Sequence, residues 1–179
     1  LSGTPGQPGS FPITVKVTDS NGCTGISATY TLVIACQTIT VTNPGVTTGT
    51  VDSPFSQTFT QTGVGTHTPA TFTINSGSLP SGLSLSTAGV LSGTPGQPGS
   101  FPITVKVTDV NGCTGISATY TLVIACQVIT VNNPGVNSAI YNQAFSQTFT
   151  QTGVGTHTPA TFTTSCTLPA CLSLSPGRV

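Results

Sequence analysis

The chain contains itself twice, and this constrains its fold more than any other feature. Residues 1–19 read LSGTPGQPGSFPITVKVTD, and residues 91–109 read the same. NGCTGISATYTLVIACQ occurs at Asn21–Gln37 and at Asn111–Gln127, and FSQTFTQTGVGTHTPATFT at Phe55–Thr73 and at Phe145–Thr163. The period is 90 residues, Leu1 to Leu91, and one residue is lost from the second copy between Thr163 and Leu168. A unit of about 90–100 residues is too long for a solenoid repeat and has the size of a small independent domain. The phase matters as well. Leu1 is the counterpart of Leu91 and Val179 that of Val90, so joining the end of one chain to the start of another restores the repeat in register. The expectation is one translational unit of a longer array, cut inside a domain.

Within one unit, strand-like segments alternate with turn residues. Gln37–Thr42 predicts a first strand, stopped by Asn43-Pro44-Gly45, and Phe55–Gln61 a second. Gly63–Pro69 is a Gly- and Thr-rich loop, Thr71–Ile74 a third strand, and Leu79-Pro80-Ser81-Gly82 a turn into Leu83–Leu85. Ala88-Gly89 turns the chain into Val90-Leu91, and Thr94-Pro95-Gly96 breaks it again. In Phe101–Thr108, Phe101, Ile103, Val105 and Val107 alternate with Pro102, Thr104, Lys106 and Thr108, the period of a half-buried strand. After a hairpin loop at Asp109–Gly115, the segment Ile116–Ile124 puts Ile116, Ala118, Tyr120, Leu122 and Ile124 on one face. No stretch carries a helical period. About seven short strands per unit predict an all-β sandwich. Thr, about one residue in five, suits this fold: it is β-branched, and its hydroxyl tolerates water.

The segment LPSGLSLSTAGVLSGTPGQPGSFPITVKVTD, Leu79–Asp109, resembles the putative immunoglobulin-like domain of bacterial secreted and cell-surface proteins. Its hallmarks are an LPxGLxL turn, a GxxSGTP turn and a strand ending in Thr-Asp. The likeness covers the later half of the unit. In the second copy the first hallmark becomes Leu168-Pro169-Ala170-Cys171-Leu172. The resemblance implies tandem immunoglobulin-like (cadherin-like) sandwiches, an extracellular or cell-surface location, no catalytic residues and no cofactor. On this frame residues 36–126 are a complete domain, residues 1–35 the C-terminal half of another, and residues 127–179 the N-terminal half of a third.

Six cysteines without a paired Cys-x-x-Cys or a Cys/His cluster point to disulfides and an oxidising compartment. Cys113 and Cys126 flank the last strand, which spans about 30–40 Å, so they do not bond to each other. In an immunoglobulin-like sandwich the chain enters at the end carrying the last hairpin loop, which pairs Cys36 with Cys113. By the same geometry Cys126 pairs with Cys23 of the next unit. Cys166 and Cys171, found only in the second copy, are expected to bond locally across the Leu-Pro turn.

Other chemistry finds little support. Charged residues make up 3% of the chain and the net charge is zero, which leaves no electrostatic footprint for nucleic acid. No apolar run reaches the roughly 20 residues of a membrane-spanning helix. Asp19-Ser20-Asn21-Gly22 and Asp109-Val110-Asn111-Gly112 look like the start of a calcium loop, but three acids in the whole chain are too few for calcium. They read better as hairpin turns with Asn-Gly supplying positive φ. His67 and His157, in the GVGTHTP loops, lack an acid and a nucleophile elbow and read as solvated loop residues. Lys16 and Lys106 lie on the solvent side of their strands. The hydroxyl-rich surface suits O-linked glycans. No enzyme and no metal site is expected. The functional expectation is a structural repeat of an extracellular filament, stalk or surface fibre, partnered head-to-tail by copies of itself. An adhesin binding a glycan or protein through its loops, and a spacer for a catalytic domain, are the alternatives.

Overall fold

The computed structural model describes residues 1–157 and 160–175. Every regular element among them is a β-strand. The complete domain is organised around the strand Gly99–Thr108. Its first half pairs antiparallel with Tyr120–Ala125, from Gly99 opposite Ile124 to Ile103 opposite Tyr120. Its second half lies between Thr71–Ser76 and Thr114–Ile116, antiparallel to both. Thr48–Thr50 adds a parallel edge to Tyr120–Ala125. The facing sheet is Leu83–Leu85, Val90–Gly93 and Phe55–Thr58, and a ribbon of Thr40–Thr42 with Thr60–Thr62 closes the side.

The alternation read in Phe101–Thr108 places Ile103, Val105 and Val107 in the core, where they meet Phe59, Leu91 and Leu122. Phe59 and Tyr120 stack edge-on, with ring centres 5.3 Å apart. The Tyr120 hydroxyl donates to the Val46 carbonyl, which satisfies the one polar atom that this ring buries. Burial raises the Tyr120 hydroxyl above its ordinary pKa of 10.0.

The structure corrects the strand reading in three places. The segment after the hairpin is two strands, Thr114–Ile116 and Tyr120–Ala125, separated by an irregular stretch. There Ser117 N–H donates to Val105 O, and Ser117 Oγ accepts from Val105 N–H while donating to Ala118 O. This local bonding reverses the side-chain parity, so Ile116 and Ala118 are exposed while Gly115 and Ser117 are buried. Phe55–Gln61 likewise divides into Phe55–Thr58 and Thr60–Thr62, which pair in different sheets. Thr48–Thr50 is a strand with no alternating pattern to announce it, because it is held by its parallel neighbour.

The flanking segments keep only part of this structure, and the part they keep follows a rule. Gly9–Ile13 pairs with Tyr30–Ile34, Lys16–Thr18 with Thr24–Ile26, and Thr130–Asn132 with Thr150–Thr152. In each case both partners lie in the same half-domain. The counterparts of Phe55–Thr58, Thr71–Ser76, Leu91–Gly93 and Thr48–Thr50 are not strands in the flanks, although two of the four have identical sequences. In the complete domain each of these pairs across the division between the halves. Without Thr71–Ser76 to bridge it, the long strand also breaks in two, leaving Gly9–Ile13 and Lys16–Thr18.

Two tests follow. Val107→Ala should destabilise the complete domain by about 2–3 kcal/mol through lost burial and a residual cavity. The same change at Val17 should leave the main denaturant transition of this chain unmoved. In alkaline solution, stability should be intact below the unfolded-state tyrosine pKa of about 10 and fall as pH rises through the elevated Tyr120 value. Tyr120→Phe should remove that part of the loss, as read by urea midpoints across the pH range.

Candidate functional site

Among the described residues, the thiols and carboxylates with defined partners are groups that position chain segments. Among the described residues no three His, Cys or acidic side chains converge. The chemistry lies at the two ends of the complete domain and on the open faces of the flanking halves.

At the end where the chain enters, Cys36 is bonded to Cys113, with their Cα atoms 5.5 Å apart and a sequence separation of 77. This is the pairing expected from the sandwich frame. Cys113 is presented by the hairpin loop, whose shape comes from Asp109. One carboxylate oxygen of Asp109 accepts from Asn111 N–H at 2.9 Å and from Cys113 N–H at 2.8 Å. Gly112, at φ 82°, completes the turn. Asp19 makes the same two bonds, to Asn21 N–H at 2.9 Å and Cys23 N–H at 2.8 Å. The aspartates of the suspected calcium loops are therefore turn-forming groups.

The remaining thiols behave differently from Cys36 and Cys113. Cys23 and Cys126 are free and exposed in the single chain. Cys166 and Cys171 are free as well, and the local bond expected between them is absent. Cys166 falls where the complete domain has the end of Thr71–Ser76, a strand held by Gly99–Thr108. Its own segment has no such partner, so nothing fixes it beside the turn. Cys171 occupies the turn position of Gly82 with φ 69°, and Leu172 N–H donates to Pro169 O at 3.1 Å, as Leu83 N–H does to Pro80 O at 3.2 Å. The replaced glycine is in a tight place: a Cβ on Gly82 would lie 2.0 Å from the Thr94 carbonyl oxygen.

The flanking halves expose what the complete domain buries. Val105, Val107 and Tyr120 are 0%, 0% and 2% exposed, whereas their counterparts Val15, Val17 and Tyr30 are 64%, 68% and 59% exposed. Phe59 is 1% exposed and its counterpart Phe149 38%. Leu1, Phe11, Leu32 and Ile34 line an open cleft of about 460 Å³. In the complete domain their counterparts belong to the core that Val51 and Phe55 fill. The flanks do not fill each other, since no strand of residues 1–35 pairs with one of residues 127–175.

Gly63–His67 and Gly153–His157 lie near the two ends of the complete domain. Gln37 Nε2 donates to Val64 O at 2.8 Å, and Gln127 Nε2 to Val154 O at 2.9 Å, which ties each loop to the start of its own domain. The second loop meets the domain before it. Asp52 accepts from Thr156 N–H at 3.3 Å and from Thr156 Oγ1 at 3.2 Å, and its Oδ1 lies 3.3 Å from His157 Nε2. Gly155, at φ 59°, makes this approach possible, because a Cβ there would come within 2.3 Å of Asp52 Oδ2. In the first loop, His67 Nδ1 lies 3.0 Å from Asn111 Nδ2. Both histidines read as solvated loop residues; His157 is exposed and lies beside Asp52, and His67 is half-buried. The missed signal was the spacing of Asp52, set by the repeat at the opposite end of the preceding domain. Lys16 is exposed and Lys106 half-exposed.

The sequence of residues 37–125 matches the family described as Putative Ig domain. Residues 37–125 belong to this family. The match coincides with the complete domain and its core. Membership makes this Ig domain a surface or structural module of a generally non-catalytic family, and one with a disulfide is typical of extracellular proteins. No curated protein matches the sequence. Among solved structures, the chain is similar to a putative alpha-galactosidase/melibiase from Bacteroides fragilis NCTC 9343, at 22% identity and a TM-score of 0.37, over 49% of this chain and 17% of that one. It is also similar to a putative alpha-galactosidase from the same organism, at 21% identity and a TM-score of 0.37, over 53% of this chain and 19% of that one. The matched region is thus less than a fifth of either enzyme chain.

Reducing the Cys36–Cys113 bond of the Ig domain should cost about 4 kcal/mol on the chain-entropy account of a loop this long. Urea unfolding with and without reductant, beside a Cys36→Ser, Cys113→Ser variant, would measure it; a shift below about 1 kcal/mol would show that the bond adds little to the packed core.

Proposed function

We propose that this chain is the structural repeat of an extracellular filament, stalk or surface fibre, assembled head-to-tail from copies of itself. The observation that carries this reading is that one sequence occurs in two states. Val105, Val107 and Tyr120, in Leu91–Asp109 and Asn111–Ile124, are buried, while Val15, Val17 and Tyr30, in the identical Leu1–Asp19 and Asn21–Ile34, are exposed. The complete domain supports one way of closing them: the preceding half of a unit, which residues 127–175 of a neighbour would supply. Leu1–Gly3 would pair with Phe145–Gln147 as Leu91–Gly93 pairs with Phe55–Gln57. Covering the apolar face and the open strand edges supplies the driving force. The neighbour can lie in the same polypeptide or in another chain.

Both halves are shaped for this before they meet. The hairpin around Cys23 is already held by Asp19, and the segment after Cys126 is already held by Gln127. The two free thiols would then stand as Cys36 and Cys113 do, and would bond between successive units. The completed domain differs from the internal one at two corners. Cys171 must stand off from the Thr4 carbonyl by the width of its Cβ, and Tyr141 takes the place of the buried Val51. A head-to-tail contact whose rotation does not close builds an open filament. The hydroxyl-rich, charge-poor surface supports O-linked glycans on such a fibre. Use of the second GVGTHTP loop at a joint favours this reading over an adhesin acting through that loop.

Non-reducing peptide mapping of concentrated or native material should find Cys23 linked to Cys126 between units, and electron microscopy should show filaments with an axial repeat of two domains. A bond between Cys23 and Cys126 of one chain, with residues 1–35 folded on 127–175, would overturn the proposal.

A further inference from the structure

The joint held by Asp52 implies a second joint of different strength, an inference that rests on the head-to-tail reading. Asp52 sits in the turn after Thr48–Thr50, its N–H donating to Pro95 O at 3.0 Å, close to where the complete domain is left. Its counterpart in the second copy is Asn142, in the same turn and with the same φ of 60°. The counterpart of the Gly153–His157 loop is Gly63–His67. When residues 127–175 of one unit are completed by residues 1–35 of the next, Asn142 takes the place of Asp52 and faces the Gly63–His67 loop of that next unit. We propose that Asn142 of one unit docks on Thr66 and His67 of its neighbour, so that the fibre alternates a charged joint, Asp52 with His157, and a weaker uncharged joint, Asn142 with His67.

The loop is prepared for such a contact. Asn111 Nδ2 lies 3.0 Å from His67 Nδ1 and 3.5 Å from the Gly6 carbonyl oxygen, so the amide nitrogen is donated at both and His67 Nδ1 is an acceptor. The ring hydrogen is thereby placed on Nε2, the atom through which His157 meets Asp52. The loop offers Thr66 N–H, the Thr66 hydroxyl and His67 Nε2–H. A carboxylate, with two accepting oxygens, receives all three, as Asp52 does from the second loop. An amide has one accepting oxygen. If Asn142 Oδ1 takes Thr66 N–H, its NH₂ can donate to the Thr66 hydroxyl, but His67 Nε2–H is left without an acceptor. The alternative orientation sets the NH₂ against Thr66 N–H. Either way the Asn142 joint has one favourable contact fewer and no charge assistance. Gly65 shows the free space: a Cβ there would meet nothing nearer than Gln37 Oε1 at 3.9 Å, whereas Gly155 is hard against Asp52.

The test is diethyl pyrocarbonate labelling of the two histidines, read by mass spectrometry on the isolated chain and on material joined through Cys23–Cys126. Assembly should slow labelling of His67, though not to the rate of His157. Asn142→Asp should slow it further, to match His157. Gly65→Ala, at a φ of 58° that alanine tolerates at modest cost, should restore the isolated-chain rate at His67 while the Cys23–Cys126 bond still forms. Bonded material in which His67 labels as fast as in the isolated chain, or in which Asn142→Asp changes nothing, would overturn the joint and leave the fibre standing. If the bond and the assembly fail to form, both readings fall together.

Discussion

The pairing of early strands with late ones governs this molecule. Gly99–Thr108 meets Thr71–Ser76, Val90–Gly93 meets Phe55–Thr58, and Tyr120–Ala125 meets Thr48–Thr50. All three contacts join residues before the Ala88-Gly89 turn to residues after it. They close the two sheets over Phe59, Leu91, Val105 and Leu122, the one hydrophobic core cluster among the described residues. Local hairpins form on either side without them, but those hairpins remain single-layered, with their apolar faces in solvent. A two-stranded ribbon is marginal in water, whereas a sheet packed on another sheet is not.

The chain therefore contains its own control. The run from Leu1 to Gln37 repeats that from Leu91 to Gln127 with a single difference, Ser20 for Val110. One run is folded into a core and the other is not, so the difference lies in the partner and not in the sequence. Non-local pairing carries the entropic cost of bringing distant segments together, and the Cys36–Cys113 bond reduces that cost for the complete domain by holding the chain's entrance to the last hairpin. Residues 1–35 have the same preformed hairpin turn and its cysteine, and lack the opposite strands.

A chain with 3% charged residues uses each of its acids structurally. Asp19 and Asp109 shape the hairpins that present Cys23 and Cys113. Asp52 receives the loop of the following domain. Hydroxyls rather than charges keep the exposed surface wet, which frees the few carboxylates for positions where direction matters more than solubility. The contact of Asp52 with Thr156 and His157 rests on Gly155, which lets a backbone approach a carboxylate.

The sequence by itself determined the repeat, its phase, the all-β class and the inward face of Phe101–Thr108, because period-two alternation and internal identity are local or directly countable properties. With the resemblance to a family it also led to the Cys36–Cys113 pairing, since the ends of a sandwich strand are fixed by its length. The parity reversal at Ser117 was not legible, because a side-chain hydroxyl replaced a ladder bond there and shifted the register by one residue. The strand Thr48–Thr50 and the contact of Asp52 with the His157 loop were equally hidden, for each depends on a neighbour distant in the chain. Tertiary structure alone decided which copy of an identical segment is core and which is open surface: burial belongs to a pair of surfaces, and one strand's sequence specifies only half of that pair.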